Sequence, residues 1–509
     1  MPDFHYGDKK LNDSDYAMGI VGIKKKENKD YTHFDFPVTQ KEKEGFIQKI
    51  KSGELKHHRY LPFITFDIVY KKYNSKNGVK IKKRKISLPS HHDALVYSFF
   101  CMVLDDYYNK YVNRFKLDDV AVAYRKNKKV TNIDVARDIF NFISKTDTWV
   151  IKGDFQSFFD NLNHDYLLKT VKEIMGDEYG KEVEKMLKSV TSYKYISKKI
   201  LKNRKKMYFK KHGHSYFENR RELGESIKSG DIKLILNKKC GIPQGTSVSA
   251  TLANIYMIFF DEWLNQKVTK LGGLYRRYSD DFIIAIPQEN LIEHDLFDFK
   301  DAVINKSENE LKLIIKAEKT KLLRYDLENK NILRYSQNNE SWGLSSLDYL
   351  GFIYDGKSVS LRSKSIYKFI YKSKRNINKL IMLEHDKDKS DIPIELLEKN
   401  YRLRKYDLNG VKRWREASGI ERKRYSKRLK KEREVYTPQE YAKFHKKVTI
   451  QHLSPKVRIP RKSMLDYAKK AQHIFDKSCP AYNVVILKQV KRQIFKNQKK
   501  LGLSRKNDR

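Results

Sequence analysis

Cysteine is nearly absent from this sequence. Three occur in 509 residues, Cys101, Cys240 and Cys479, far apart and without a Cys-x-x-Cys pair. That argues against both a disulfide framework and a structural zinc site. A hydrophobic h-region is missing from the first residues, MPDFHYGDKK, so no apolar leader is expected. No run of eighteen apolar residues occurs, so no membrane-spanning helix and no membrane partner are expected. The expectation is a soluble, cytoplasmic protein. Neither a fixed-period repeat nor a low-complexity tract is visible.

Acidic residues are few beside basic ones. Against 107 Lys and Arg stand 63 Asp and Glu, a formal net charge of +44. Self-repulsion on that scale calls for a polyanionic partner, and nucleic acid is the expected one. A membrane surface suits the pattern less, because the charge is spread along the chain rather than gathered on one amphipathic helix. Hydrophobic residues make up 39%, enough to build cores and to exclude a disordered chain. The length accommodates two or three domains.

Along the chain, residues 1–60 are polar with weak helical periodicity. LPFITFDIVY (61–70) reads as a strand, and the stretch after it as a basic hairpin around Asn77-Gly78. Residues 91–116 have helical periodicity. TWVIKGD (148–154) is an apolar strand ending in an acid, and 161–176 reads as helix. The segment 194–235 is very basic and poorly periodic, which predicts an insertion or flexible loop. Residues 246–267 follow a Pro-Gln-Gly turn as an apolar helix. Two strands, 273–278 and 282–287, flank Ser279-Asp280-Asp281. Residues 301–315 are helical and a Lys-rich strand follows. LDYLGFIYDGKSVSLR (347–362) is a hairpin turning at Asp355-Gly356. Beyond about 365 Lys, Arg and Tyr dominate, Asp386 to Pro393 is a break, and 401–435 is densely basic. Mixed strands and helices followed by helices alone predict an α+β core with a helical appendage.

Asp-Asp in a hairpin turn is by itself ordinary turn chemistry. Here, however, YSDD lies between YRR and FIIAI with no glycine in the turn. Adjacent like charges at a strand tip repel unless a cation sits there. One more carboxylate from a second strand, Asp154, would complete a site for two Mg2+ ions about 4 Å apart. Asp160 is a weaker candidate ligand and reads better as a helix cap.

DFQSFFD (154–160), GIPQGTSVSATLANIYM (241–257), RYSDDF (277–282), KAEKTK (316–321) and YLGF (349–352) occur in the order of the palm motifs of reverse transcriptases. RKISLPSHHDALVY and AVAYRKNKKV resemble that family's finger motifs. The resemblance covers roughly residues 60–365. It implies a right-hand polymerase: an N-terminal extension (1–60), fingers and palm with an antiparallel sheet (61–365), and a basic α-helical thumb with an RNA-binding C-terminal region (366–509). By the same resemblance Asp154 and Asp280 are the essential acids and Asp281 their more peripheral partner. Phe155 offers a backbone carbonyl to one metal. Phe159 stands at the steric gate, where an aromatic ring collides with a 2′-hydroxyl and favours deoxynucleotides. Gln244 and Gly245 line the incoming nucleotide and template. Lys319 lies near the triphosphate, and Arg84 and Arg125 are finger contacts to phosphate. For Phe159 the alternative is a plain core aromatic, and for any single Arg or Lys a solvated surface charge.

The implied activity is RNA-directed DNA synthesis with an RNA template, deoxynucleotides as substrates and DNA as product. Among subfamilies, the region near the thumb reads SVSLRSKS rather than the Val-Thr-Gly element of retron enzymes. No His and Cys cluster of an intron endonuclease follows residue 365, and Thr246-Ser247-Val248 stands where diversity-generating enzymes have Ser-Gln. The pattern that remains is similar to bacterial defence-associated reverse transcriptases, which pair the polymerase with a structured noncoding RNA. Tyr401, Tyr406, Tyr425 and Tyr436 interleave the basic C-terminal residues, as suits stacking on unpaired bases, or a helical bundle with tyrosines in its core. Template-independent or protein-primed synthesis and a maturase-like RNA-binding role stay open as alternatives, as does a homo-oligomer.

Overall fold

Two long strands leave the N-terminal region, Phe63–Asn74 and Gly78–Leu88, paired antiparallel from Ile64–Leu88 out to Asn74–Gly78. They belong to a computed structural model that describes residues 11–74, 78–125, 128–202, 207–210, 213–237, 239–316, 320–385, 438–454 and 463–501. The expected turn residue Asn77 therefore lies outside the described residues, as do Lys319, the break at 386–393, the basic stretch 401–435, and Tyr401, Tyr406, Tyr425 and Tyr436. The chain divides into two compact units: Met1–Thr131 with Trp149–Leu322, and Asn132–Thr148 with Leu323–Arg509. The composition shift near 365 does not coincide with that division. The architecture is α+β, with sheets that are mainly antiparallel.

In the first unit the helix His91–Arg114 runs through the core. Ser90 caps it by accepting from the Asp93 N–H at 3.1 Å, and Asp35 accepts from the His91 and His92 N–H groups at 3.0 Å each. These contacts satisfy donors that a helix start leaves open. The strand Asp281–Pro287 is buried from Phe282 to Pro287. That burial explains its unbroken apolar run, because both faces of the strand are covered. It lies between Leu274–Tyr278 and Thr148–Asp154 in one sheet. The 1–60 region, expected to be only weakly helical, holds two well-capped helices, Asp13–Lys25 and Gln40–Lys51, each with a capping box.

Residues 194–235 are not a loose insertion. They contain the strand Lys194–Ser197, parallel to Phe63–Thr65, and the helix Arg220–Lys228. Phe217, Leu223 and Ile232 are buried in a cluster with Phe34, Ile64 and Ile196. The apolar residues are spaced too widely among lysines to give a local period, and their partners lie far away in sequence. The helix after the Pro-Gln-Gly turn is in fact two, Ser249–Tyr256 and Ile258–Lys270. The expected helix at 301–315 starts earlier, as the α-helix Glu293–Lys306, and ends in a π-helical turn, Ser307–Leu311.

In the second unit, Asn331–Ser336 pairs antiparallel with both Lys321–Asp326 and Ser341–Ser345. The expected single hairpin at 347–362 is a meander of three short strands, Leu347–Tyr349, Phe352–Tyr354 and Ser358–Leu361. The last pairs in parallel with Asn483–Val484. Phe140, Phe352, Tyr354, Phe475 and Tyr482 form one aromatic cluster. Residues on both sides of 365 therefore share a core, although their compositions differ.

Candidate active site

Asp154 ends the strand Thr148–Asp154. Register pairs Tyr278 with Asp281, which leaves Ser279 and Asp280 as a two-residue turn. The Phe155 N–H donates to the Asp280 carbonyl at 3.0 Å, so the backbones carrying the two acids touch directly. On the other side the Gln156 N–H donates to the Ile314 carbonyl at 2.9 Å. Gly153 makes the close fit possible: a Cβ there would lie 2.5 Å from the Phe282 ring. A larger residue would push apart the two strands that bring the acids together.

Asp280 is exposed, and Asp154 and Asp281 are half-buried. Among the described residues neither the Asp154 nor the Asp280 carboxylate has a hydrogen-bond or ion-pair partner, in a chain with 107 Lys and Arg. The three carboxylates do not draw into one tight ligand cluster. Among the described residues the trio of His or acidic groups with ligand atoms within 4.8 Å of one another is His294, Asp295 and Asp298, all exposed. The donor set at the strand tips nevertheless suits a hard divalent cation, being oxygen only: three carboxylates and the Phe155 carbonyl.

Beneath the turn lies a buried polar frame. Arg277 has no exposed surface, and its Nη2 is 2.6 Å from Asp261 Oδ2. Burial disfavours the charged guanidinium, but the Asp261 carboxylate outweighs that and holds Arg277 above the ordinary arginine range. Tyr275 donates its hydroxyl to Asp261 Oδ1 at 2.8 Å. Arg277 Nη1 donates to the Ser279 carbonyl at 3.1 Å, so the frame reaches the turn itself. Asp261 and Arg277 support the turn of the candidate site, a role that motif reading passed over. The signal was present: alternation along Leu274–Tyr278 puts Arg277 on the same inward face as Tyr275, and a buried cation demands an acid.

Phe159 is half-buried, edge-on to Phe158 at 5.4 Å and to Tyr124 at 6.4 Å. Asp160 is not the cap of the next helix; Asn163 is, accepting from the Tyr166 N–H at 2.9 Å. The Asp160 carboxylate instead receives Gln244 Nε2 at 3.2 Å. The Gln244 carbonyl accepts from the Ser87 N–H at 2.8 Å, which ties the Pro-Gln-Gly turn to the strand Gly78–Leu88. Gly245, at φ +137°, allows this approach, since a Cβ would sit 2.5 Å from the Ser87 carbonyl oxygen. Arg84 is exposed on that same strand. Arg125 is not an outward finger cation. It is 4% exposed, and its guanidinium donates to Asn109 and to the Asp118 carboxylate and carbonyl. Burial next to a ready acceptor makes it an internal strut.

Residues 75–354, more than half of the chain, match the reverse transcriptase (RNA-dependent DNA polymerase) family. No curated protein matches the chain. Among solved structures, apo telomerase from Candida tropicalis truncated from the C-terminal domain is 12% identical, with a TM-score of 0.36; the match covers 66% of this chain and 63% of that one. Telomerase from Candida albicans in complex with a TWJ fragment of telomeric RNA is 13% identical, with a TM-score of 0.34 and coverage of 93% and 71%. Apo telomerase from Candida tropicalis is 12% identical, with a TM-score of 0.35 and coverage of 95% and 76%.

Proposed function

Because this chain belongs to the reverse transcriptase (RNA-dependent DNA polymerase) family, we propose that it is an RNA-directed DNA polymerase that adds deoxynucleotides to a primer 3′-hydroxyl. The observation that carries this reading is the hydrogen bond from the Phe155 N–H to the Asp280 carbonyl, which joins the adjacent strand ends that carry Asp154 and Asp280, two acids without a hydrogen-bond or ion-pair partner among the described residues. Asp154, Asp280, Asp281 and the Phe155 carbonyl would hold two Mg2+ ions, and these, when bound, neutralise charge on the attacking and leaving oxygens. The protein's own part is mostly positioning and a fixed electrostatic setting. Gly153 keeps the strands close, the Arg277–Asp261 frame holds the turn, and Phe159 presents a ring to the sugar. Gln244 and Gly245 shape the surface where nucleotide and template meet. Arg84 and Lys319 supply positive charge for phosphates in this reading.

The test is Asp280→Asn in the full-length protein. Primer extension on an RNA template with Mg2+ is expected to fall by about a thousandfold or more, the scale of several kcal/mol of lost charge stabilisation. RNA affinity, measured in parallel, stays nearly unchanged. Substantial extension by the variant would remove Asp280 from the chemistry.

The narrower reading is that the template is a structured noncoding RNA and that the enzyme serves bacterial antiviral defence. It rests on the net charge of +44 and on the motif pattern. Sequencing the nucleic acid that copurifies with the protein decides it: one dominant RNA with DNA complementary to it supports the reading, and an unselective mixture of cellular RNA refutes it.

A further inference from the structure

Two residues near Asp280 hold backbone conformations that L-residues rarely adopt: Tyr124 at φ 69° and Ser279 at φ 63°. For a bulky residue such as tyrosine this is a genuine outlier. Such strain persists only where the surroundings over-determine it, and it gathers at functional sites. Here the surroundings are explicit. Ala123 is 1% exposed and its carbonyl accepts Asn254 Nδ2 at 3.0 Å. Arg125, on the other side, is anchored on Asp118. The segment is stitched to the strand Leu274–Tyr278, with the Arg277 N–H donating to the Val120 carbonyl at 2.8 Å and the Val122 N–H to the Arg277 carbonyl at 3.2 Å. Ser279 hangs from the same Arg277 through its carbonyl. Both strained residues are thus fixed to one buried frame.

Their side chains then meet. Tyr124 Oη and Ser279 Oγ lie 3.0 Å apart. The Tyr124 ring, 50% exposed, stands edge-on to Phe159 at 6.4 Å and 73°.

We infer that Tyr124 is a positioning residue that ties the Phe159 ring to the Tyr-Ser-Asp-Asp turn and so sets the width of the slot for the incoming nucleotide's sugar. This rests on the reading of Phe159 as the sugar gate. The hydroxyl fixes the distance to the turn, and the ring limits how far Phe159 can swing away from the sugar. The two contacts make separable contributions.

The experiment uses the full-length protein, an RNA template with an annealed DNA primer, Mg2+, and one deoxynucleotide against its ribonucleotide. Tyr124→Phe and Ser279→Ala are each expected to raise KM for the deoxynucleotide about fivefold, the size of one hydrogen bond, with kcat little changed. The double variant is no worse than either single variant, because both remove the same bond. Tyr124→Leu, which loses the ring contact as well, narrows the preference for deoxyribose about fivefold further. Unchanged thermal unfolding midpoints establish that the variants are folded, and Tyr124→Phe keeps the ring in place if the leucine variant is not. Additive penalties in the double variant overturn the inference, and so does a fall in kcat at constant KM. Phe159→Ala separates the two levels. If it relaxes sugar selectivity while the Tyr124 variants do not, the gate stands and this inference fails. If Phe159→Ala leaves selectivity intact, both fall.

Discussion

Asp261 is 3% exposed and faces an Arg277 side chain with no exposed surface at all. Removing one partner of such a pair leaves the other charge buried and uncompensated, which costs about 3–5 kcal/mol. Asp261→Asn is therefore expected to lower the unfolding free energy by about that amount, as read from the midpoint of a urea titration. A loss below about 1 kcal/mol would mean that water reaches the guanidinium, as it does in exposed pairs. The substitution also loosens the carbonyl of Ser279, so extension activity in the surviving folded fraction is expected to drop as well. At this scale the sequence was informative about the acids and silent about their support. Asp280 and Asp281 stand out because adjacent acids in a turn without glycine repel unless a cation sits there, and Asp154 because it ends an apolar strand. Asp261 and Tyr124 look ordinary until their neighbours are known.

The helix Arg220–Lys228 lies in a segment whose charge pattern suggested a loop. Leu223, 3% exposed, joins it to the cluster around Phe34 and Ile196. Leu223→Ala is expected to cost about 2–5 kcal/mol, the usual range for emptying a buried leucine site. Hydrogen exchange along 220–228 provides a second reading: strong protection in the wild type and loss of it in the variant. Rapid exchange in the wild type would show that the segment is the loop its charge suggested. The elements read correctly from sequence are those whose pattern is local. The strands at 148–154 and 281–287, and the helix from 91, carry their own periodicity or apolar run. The elements missed depend on distant partners, as the cluster of Phe34, Ile64, Ile196 and Phe217 illustrates. Helix ends shifted for a related reason: the division after Tyr256 lies inside a continuous apolar run that no local breaker interrupts.

For the molecule as a whole the net charge of +44 dominates its dealings with other molecules. RNA binding through many phosphate contacts releases counterions, so affinity is expected to fall by about a thousandfold or more between roughly 50 and 200 mM salt. Filter binding or fluorescence anisotropy across that range measures the slope. A nearly flat slope would assign the positive charge to something other than phosphate neutralisation. The same scale explains why composition misplaces the division of the chain. Lysine and tyrosine content changes near 365, whereas the core that includes Phe140, Tyr354 and Phe475 spans that point. Composition reports surface chemistry, and compact units are set by which apolar residues meet.

The bond between Phe155 and the Asp280 carbonyl joins strands separated by a long stretch of chain. Alignment of the reactive groups is thereby set by strand pairing and by the Arg277–Asp261 frame beneath the turn rather than by the contour length in between. Evolution is free to lengthen, shorten or replace exposed turns along that detour, adding new recognition surfaces, while the chemistry keeps its spacing.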